Sequence, residues 1–474
     1  MRLTWGGEVS TWNRFNIIFY PHSVAVIGAS TDFKRLGYHC MKSLIMSHFP
    51  GKIYPIHPSL PEITGFKAYP SIKAVPGEVN LAIIAVRTSL VPSILNECAE
   101  KRVKGIVLIT AGFKEIQDKI GTELQEEIAA IANRANIKII GPNTFGMVNL
   151  HANLNASFTP QFSLTPRGNI SLVSQSGGFC HLMAPLAMAE HVGLSKIIGI
   201  GNRCNVDFAD ILDYLADDPD TGVIMMYIEG TDDARRLFQV ASRVTRKKPI
   251  VALKAGRSGS KDEAAHSHTG SLAGNYGIYT AAFGQAGIIM ADSSTELLDI
   301  AKALNLCPLP KGNRVAVLSG QAGPGIIMSD ICEQNGLALP SFSGKTSRRV
   351  HELLPPLAMR SNPIDMGPAW YDCETIRNVI EVVLADENID SLLLYAAYAS
   401  ANKPLLNEIS GLLESPPCNK PIICCFPSPT GVWFEEKCDL AESGIALYAT
   451  PERAAEALAG LVKRSQIVSQ RGGI

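Results

Sequence analysis

Short runs of β-branched and other apolar residues alternate along the chain with longer segments of helical periodicity. The first third of the sequence contains five such runs: SVAVIGAS, KIYPIHP, LAIIAV, GIVLITAG and IKIIGPN. Apolar runs of this length that end in Gly, Pro or small residues are typical of strands buried on both faces of a parallel sheet. Strands that alternate with helices predict a doubly wound α/β domain, here over residues 14–150.

Two further series of predicted strands follow a looser stretch after Asn149, LHANLNASFTPQFSLTPRG, whose polar, proline-bearing composition predicts a linker or a long crossover. The second series predicts a domain over residues 165–305 and comprises NISLVSQSGG, KIIGIGN, GVIMMYIEG, PIVALKAG and GIIMAD. The third predicts a domain over residues 308–465 and comprises RVAVLSGQAGPG, SLLLYAAYA, PIICCF and IALYAT. The chain is therefore predicted to form three doubly wound α/β domains.

Charge and composition narrow the possible functions. Lys and Arg total 43 against 44 Asp and Glu, so no basic excess favours nucleic acid or an anionic membrane as a partner. No apolar run approaches the roughly 18 residues of a spanning helix, and no signal-peptide pattern opens the chain, which favours a cytoplasmic protein. The eleven cysteines show no CxxC or metal-site spacing, so we expect buried thiols and no metal site.

The first predicted strand ends in a turn suited to a phosphate-bearing ligand. In doubly wound sheets, ligands bind at the carboxyl ends of the strands. Gly28 and the small residues after it allow the backbone close to a ligand, and the next helix offers free N–H groups. NAD is disfavoured because the turn lacks the full G-x-G-x-x-G and the second strand ends in His57-Pro58 rather than an acid. A tight turn with no ligand is the structural alternative.

A second candidate phosphate site lies where a strand of the second series meets a helix. Hydroxyl groups and unhindered amides cluster there, at Ser174, Ser176, Gly177 and Gly178. Such an arrangement favours binding of a phosphate group. A hydrolase is the alternative, because Ser176, Asp207 and His268 occur along the chain in the order of the catalytic triad of α/β-hydrolases, which is Ser, Asp, His. The nucleophile elbow needs a glycine where Ser174 stands, which disfavours the hydrolase.

An acid and a histidine supply candidate chemistry. Glu229 directly follows the apolar strand MMYI, and a buried acid at such a strand end needs a cation or a hydrogen-bond donor as its partner. The structural alternative is that Glu229 only neighbours the N-cap of the helix that follows. His266 and His268 lie among small residues in HSHTGSLAG. An imidazole held at one nitrogen by a carboxylate is nucleophilic at the other, so His268, oriented by Glu229, is predicted to accept a phosphoryl group. A loop histidine bonded to backbone is the alternative.

Nine motifs run in a fixed order along the chain, within a similarity that extends from about Phe19 to about Val462. They are PHSVAVIGAS, IYPIHP, TAGFKE, GPNTFG, VSQSGG, IGIGNRCNVDFADILDYLADDP, YIEG, LKAGRSGSKDEAAHSHTGSLAG and NPIDMGP. In order and spacing the chain resembles the NDP-forming acyl-CoA synthetases. It is most similar to the α subunit of the ADP-forming acetyl-CoA synthetases and more remotely to that of the succinyl-CoA synthetases.

The resemblance implies a Rossmann-like coenzyme A-binding domain followed by two flavodoxin-like ligase domains. His268 would be the phosphorylated histidine, Glu229 the glutamate that orients it, and Asp207 a residue near the same site. The implied coenzyme A contacts are Gly28, Ala29, Ser30, Thr31, Pro58, Val86, Arg87, Thr110 and Gly112. The implied phosphate-binding residues are Asn143, Ser176, Gly177 and Gly178.

The resemblance also implies partners. No stretch after Lys311 resembles the ATP-grasp domain of the family, so the implied partner is an ATP-grasp β subunit that binds ADP or ATP with Mg, in an α2β2 hetero-oligomer. The implied substrates are a small carboxylic acid and its acyl-CoA, with phosphate. A non-catalytic regulatory module that binds coenzyme A or acyl-CoA is the alternative.

Three departures from the family pattern leave the acyl group open. Arg87 stands where the family commonly has proline, and it would either contact a coenzyme A phosphate or crowd the pocket. Thr144 replaces a cysteine, and the third-domain turn reads LSGQAGPG instead of a form like TNAGGPG.

Overall fold

The computed structural model describes residues 11–257 and 276–471, and the chain divides into two compact units, Met1–Met290 and Ala291–Ile474. The predicted α/β architecture with parallel sheets is confirmed. Helices and strands alternate through most of both units, because the apolar runs are too short and too β-branched to form long helices. His266 and His268 lie outside the described residues.

The first sheet of the first unit has five parallel strands in the order β2-β1-β5-β6-β7. They are β1 (Ser23–Ile27), β2 (Lys52–Ile56), β5 (Leu81–Ile84), β6 (Gly105–Leu108) and β7 (Lys138–Ile140), with a small hairpin of β3 (Glu62–Ile63) and β4 (Phe66–Lys67). The helices are α1 (Thr11–Phe19), α2 (Leu36–Met46), α3 (Val91–Glu100) and α4 (Lys119–Arg134). The strand order reverses direction between β1 and β5, which opens a crevice at their carboxyl ends.

The second sheet has seven strands in the order β14-β13-β12-β10-β11-β8-β9, of which β8 and β9 are antiparallel to their neighbours. Its strands are β8 (Gly146–Asn149), β9 (Leu154–Ser157), β10 (Arg167–Ser174), β11 (Leu194–Gly199), β12 (Val223–Ile228), β13 (Ile250–Lys254) and β14 (Ile289–Met290). The described helices are α5 (Gly177–Ala189), α6 (Phe208–Asp217), α7 (Ala234–Lys247) and α8 (Tyr276–Ala286).

The linker predicted after Asn149 is wrong in part, because this stretch contains the edge strand β9. Asn155 and Ser157 are fully buried although they are polar. The Ser157 hydroxyl donates to Asn155 Oδ1 at 2.6 Å, and Asn155 Nδ2 donates to the Thr159 carbonyl at 3.0 Å. The two polar residues of β9 bond to each other and to the Thr159 carbonyl, so they are buried at little cost.

The second unit contains one sheet of five parallel strands in the order β16-β15-β17-β18-β19. They are β15 (Val315–Ser319), β16 (Ile364–Asp365), β17 (Ser391–Tyr395), β18 (Ile422–Cys425) and β19 (Ala446–Tyr448). The helices are α9 (Ser294–Leu306), α10 (Ala322–Gln334), α11 (Gly344–Leu353), α12 (Cys373–Leu384), α13 (Leu405–Glu414), α14 (Phe434–Glu442) and α15 (Pro451–Gln470).

Helix α9 belongs to the second unit, although the predicted range 165–305 includes it. The Arg453 guanidinium of α15 donates to both carboxylate oxygens of Asp299 at 2.7 Å, and Asp299 is almost fully buried. The Tyr448 hydroxyl donates to the Asp299 carbonyl at 2.9 Å. A bidentate, buried ion pair of this kind fixes the orientation of the two helices. The three predicted domain ranges stay a prediction.

A buried ion pair lies in the second sheet. Lys196 of β11 and Asp218, the C-cap of α6, are both fully buried, and their charged atoms are 2.6 Å apart. Burial lowers the pKa of Lys196, while the charge of Asp218 acts in the opposite direction. The Thr221 hydroxyl also donates to Asp218. This pair connects a central strand to a helix that packs on the sheet.

No described helix is long and apolar enough to cross a membrane. All eleven cysteines lie in the described segments, and none is disulfide-bonded. Cys424 and Cys425 lie in β18 with no exposed surface, as the run PIICCF predicts. Burial raises the pKa of Cys425 to about 12, so its thiol is protonated near neutral pH.

Candidate functional site

The carboxyl ends of the first sheet surround a cleft of about 760 Å3. It lies at the crevice between β1 and β5, where the strand order reverses. Its lining includes eight of the nine predicted coenzyme A contacts: Gly28, Ala29, Ser30, Thr31, Pro58, Val86, Arg87 and Thr110. The ninth, Gly112, follows in the same loop after β6 but does not line the cleft. The structure therefore gathers residues from four separate strand ends around one space.

Close backbone approach explains the glycine at the start of this cleft. Gly28 has φ +89°, and a Cβ there would lie 2.4 Å from the Ala85 carbonyl oxygen. Gly37, in the first turn of α2, approaches the same turn, since its Cβ would lie 1.9 Å from the Gly28 carbonyl oxygen. Both positions therefore exclude a side chain, and the backbone forms the floor of the cleft.

Hydroxyl groups fix the opposite wall of the cleft. The Thr110 hydroxyl donates to the Val86 carbonyl at 2.9 Å and accepts from the Val86 N–H at 3.3 Å. The Thr88 hydroxyl donates to the Ala111 carbonyl at 2.7 Å. These bonds hold the loops after β5 and β6 against each other. Thr110 thus has a structural role in the wall that it lines.

Positive charge surrounds the mouth of the cleft. The exposed side chains of Lys34, Arg35 and Arg87 line the mouth. Asp32 lines it as well, and its Oδ2 lies 3.7 Å from Arg35 Nε. No described carboxylate lies within 4.0 Å of the charged atoms of Lys34 or Arg87. These cations suit a ligand with several phosphate groups. Sequence reasoning missed Lys34 and Arg35, although the letters DFKRLG directly after the first turn carry the signal.

The second candidate site lies at the N-terminus of α5. Ser176 is the N-cap, and its hydroxyl oxygen accepts from the Phe179 N–H at 3.3 Å. The Ser174 hydroxyl donates to the Ser176 carbonyl at 2.7 Å and accepts from the Ser176 N–H at 3.1 Å. A Cβ on Gly178 would meet only the Ser176 hydroxyl, at 3.7 Å. The first turn of α5 therefore presents open backbone amides, which favour an anion.

Glu229 lies beside this turn, directly after β12, which pairs with β10. Its side chain is buried, and Gln175 Oε1 accepts from the backbone N–H groups of Glu229 and Gly230 at 3.0 and 3.2 Å. Burial, and then the Glu229 charge, raise the pKa of Tyr227 to about 12. Gln175 therefore connects the two strand ends, a role that sequence reasoning missed.

The hydrogen bonds of Asp207 mainly stabilise the start of helix α6. It caps α6, where Asp207 Oδ1 accepts from the Phe208 N–H at 2.7 Å and Asp210 Oδ2 accepts from the Asp207 N–H at 3.0 Å. The buried Arg203 guanidinium donates to Asp207 Oδ1 at 3.1 Å. The Thr231 hydroxyl donates to Asp207 Oδ2 at 3.5 Å, which connects this cap to the loop after Glu229.

Asn143 and Thr144 join the two sheets of the first unit. Asn143 has φ +58°, its N–H donates to the Thr110 carbonyl at 3.0 Å, and its Nδ2 donates to Asn202 Oδ1 at 3.3 Å. The buried Thr144 hydroxyl donates to the Gly199 carbonyl at the end of β11 at 2.6 Å. This contact gives the departure at Thr144 a structural explanation, because the hydroxyl is bonded across the two sheets.

Three protein-family models match successive parts of the chain: a CoA binding domain over residues 22–149, a succinyl-CoA ligase like flavodoxin domain over 167–304 and a ligase-CoA domain over 315–463. Among solved structures, the chain is similar to dinucleotide forming acetyl-coenzyme A synthetase 1 of Ca. Korarchaeum cryptofilum in complex with phosphate and ADP. The identity is 34% and the TM-score 0.90, over 97% of this chain and 99% of that chain. The fold and these matches define a coenzyme A ligase.

The chain is 41% identical to the acetate–CoA ligase (ADP-forming) II subunit alpha of Pyrococcus furiosus, over 96% of this chain and 98% of that one. It is 40% identical to acetate–CoA ligase (ADP-forming) of Methanocaldococcus jannaschii, over 96% of this chain and 64% of that longer protein. The chain belongs to the ADP-forming acyl-CoA synthetase family, among its α subunits, as the nine motifs predict.

Proposed function

We propose that the chain is the α subunit of a reversible synthetase that converts acyl-CoA, ADP and phosphate into a carboxylic acid, coenzyme A and ATP. One observation carries the proposal. A single unit contains a cation-rimmed cleft and, at the neighbouring sheet, an anion site beside a buried carboxylate. The cleft suits coenzyme A, which has three phosphate groups, and the open amides of α5 suit the phosphate that attacks the thioester.

The proposed chemistry has two steps on this chain. An oxygen of phosphate attacks the acyl carbon, the C–S bond breaks, and the sulfur leaves with the electron pair and takes a proton. His268 then attacks the phosphorus of the acyl phosphate, and the carboxylate leaves. Glu229 would accept the N–H of the imidazole, and the amides at Gly177 and Gly178 would stabilise the negative charge during transfer.

A partner subunit would complete the reaction. Relatives with the name subunit alpha imply one, and the chain spans 64% of the longer relative from Methanocaldococcus jannaschii. We propose an ATP-grasp β subunit that binds ADP or ATP with Mg and receives the phosphoryl group, in an α2β2 assembly. The acyl group is a small carboxylic acid whose identity depends on pocket shape, where one methylene changes binding by about 1–3 kcal/mol.

Release of coenzyme A tests the proposal. With its partner subunit, the chain should release coenzyme A from an acyl-CoA only when phosphate is present, and release should continue over many turnovers only when ADP is present as well. A panel of acyl-CoA thioesters in this assay identifies the acyl group. Tight binding of coenzyme A without release from any thioester would instead favour the regulatory module. Isothermal titration with NAD provides the control for the cleft, where we expect no binding.

Replacing Glu229 by Gln should slow phosphorylation of the chain by ATP and the partner roughly 10- to 100-fold, since a hydrogen bond to a charged group contributes about 1.5–3 kcal/mol. The melting temperature should change little, because the amide keeps the size of the carboxylate. Glu126→Gln, on the exposed face of α4, is the matched control. A large decrease in the melting temperature of Glu229→Gln would indicate that Glu229 stabilises the fold instead of orienting the histidine.

A further inference from the structure

One carboxylate organises the loop that follows β6. Glu115 Oε1 accepts from the Gly112 N–H at 2.6 Å, and Glu115 Oε2 accepts from the Phe113 N–H at 3.1 Å. Gly112 has φ +101°, so the chain turns sharply at that residue. Hydrogen bonds from neutral donors to an ionised carboxylate are about twice as strong as neutral ones. Glu115 therefore fixes the turn that contains the last predicted coenzyme A contact.

The same carboxylate reaches the second sheet. Asn202, in the loop after β11, is buried, and its Nδ2 donates to Glu115 Oε2. Asn202 Nδ2 also donates to Gln125 Oε1 at 3.0 Å. The Asn202 N–H donates to the Pro142 carbonyl at 2.9 Å. The loops after β6, β7 and β11 are therefore joined by one buried amide.

The far side of that amide holds a predicted phosphate residue. Asn202 Oδ1 accepts from Asn143 Nδ2 at 3.3 Å. A Cβ on Gly201 would lie 2.2 Å from the Pro142 carbonyl oxygen, so the two loops are packed at backbone contact. We name the connected set Gly112, Glu115, Asn202 and Asn143 the carboxylate–amide relay. Two bonds of the relay join segments of the first unit that are distant in sequence, since Glu115 and Asn202 are separated by 87 positions and Asn143 and Asn202 by 59.

We propose that Glu115 and Asn202 are positioning residues for acyl transfer between coenzyme A and phosphate, an inference that rests on the proposed function. The relay holds the Gly112 turn, on the thioester side, in register with Asn143, on the phosphate side. A phosphate oxygen must approach the acyl carbon while the C–S bond breaks and the sulfur takes a proton. Reactions of this kind depend on placement, since a misplacement of about 1 Å can cost roughly 100-fold in rate.

The test separates two half-reactions of the full chain with its partner subunit. The first is phosphate-dependent release of coenzyme A from the acyl-CoA that the thioester panel identifies, and the second is phosphorylation of the chain by ATP. Glu115→Gln and Asn202→Asp should each lower kcat of the first at least roughly 10-fold. The KM for that acyl-CoA and the rate of the second half-reaction should stay near wild type. If the variants lower the rates of both half-reactions equally and also lower the Tm, the proposal is overturned, because Glu115 and Asn202 would then only stabilise the fold.

A double variant tests the relay directly. In Glu115→Gln with Asn202→Asp, the amide introduced at position 115 can donate to the carboxylate introduced at position 202. The bond between the two loops is then restored with its polarity reversed, although the Phe113 N–H loses its acceptor at the former Oε2 position, so we expect part of the lost kcat to return. Failure of the double variant to exceed either single variant contradicts the proposal. Glu123→Gln, in the neighbouring helix α4 with an exposed ion pair to Lys119, is the matched control and should behave as wild type.

The same assays distinguish the relay from the function on which it rests. A wild-type complex that performs neither half-reaction would overturn the proposed function, whereas an active wild type with unaffected variants overturns only the relay. Titration of coenzyme A into each variant gives the remaining control, because the cleft between β1 and β5 contains neither Glu115 nor Asn202.

Discussion

Replacing His268 by Ala should abolish the acid-labile phosphorylation of the chain by ATP and the partner subunit. The phosphoryl group needs a nucleophilic nitrogen, and alanine has none, so the expected residual labelling is zero. Coenzyme A should bind with unchanged affinity, because its candidate cleft is formed by strand ends of the first sheet. Radioactive labelling followed by acid treatment measures the first quantity, and isothermal titration measures the second.

His266→Ala is the matched control for this experiment. It removes an imidazole two positions away and should leave the labelling intact. If His268→Ala is labelled as well as wild type, a different residue carries the phosphoryl group and our assignment is wrong. If both variants lose labelling and coenzyme A binding together, the segment serves the fold rather than the chemistry.

Replacing Asp218 by Ala should lower the free energy of unfolding by about 3–5 kcal/mol. The change leaves the fully buried Lys196 without the carboxylate that lies 2.6 Å from its ammonium group. Burial already lowers the pKa of Lys196, and loss of the opposing carboxylate should lower it further. Urea denaturation at neutral pH, with a constant m-value, measures the loss.

The double variant Lys196→Met with Asp218→Leu is the control. Apolar side chains of similar volume often replace a buried ion pair without cost, so this variant should recover most of the stability that Asp218→Ala loses. A loss in the double variant as large as in Asp218→Ala would show that the apolar pair cannot pack in this space. An unchanged stability of Asp218→Ala would show that the carboxylate contributes nothing.

Local sequence patterns predicted most strands of the three large sheets. The run SVAVIGAS contains β1, and PIICCF contains β18, because continuous apolar residues need burial on both faces of a strand. The edge strand β9 was missed, since its four residues alternate apolar Leu154 and Ala156 with polar Asn155 and Ser157, a run too short and too polar to distinguish from a loop. Its polar side chains are satisfied by neighbours such as Thr159, which no periodicity reveals.

Motif reasoning located the candidate site only in part. The rule that ligands bind at strand carboxyl ends, with the family motifs, predicted residues from four loops that line the cleft. It missed Lys34 and Arg35 at the mouth and Gln175 beside Glu229. It also missed that Asp207 is held by the capping box of α6 and by Arg203.

The sequence by itself determined the alternation of strands and helices, the parallel core of each sheet and the family. These depend on hydrophobic periodicity and on motifs whose residues are close in the chain. Only the tertiary structure decided that Gln175 bonds to the Glu229 backbone, that Glu115 bonds to Asn202, and that α9 packs in the second unit. Hydrogen bonds and packing between distant segments depend on how whole sheets meet, and a single sequence contains no local pattern that specifies them.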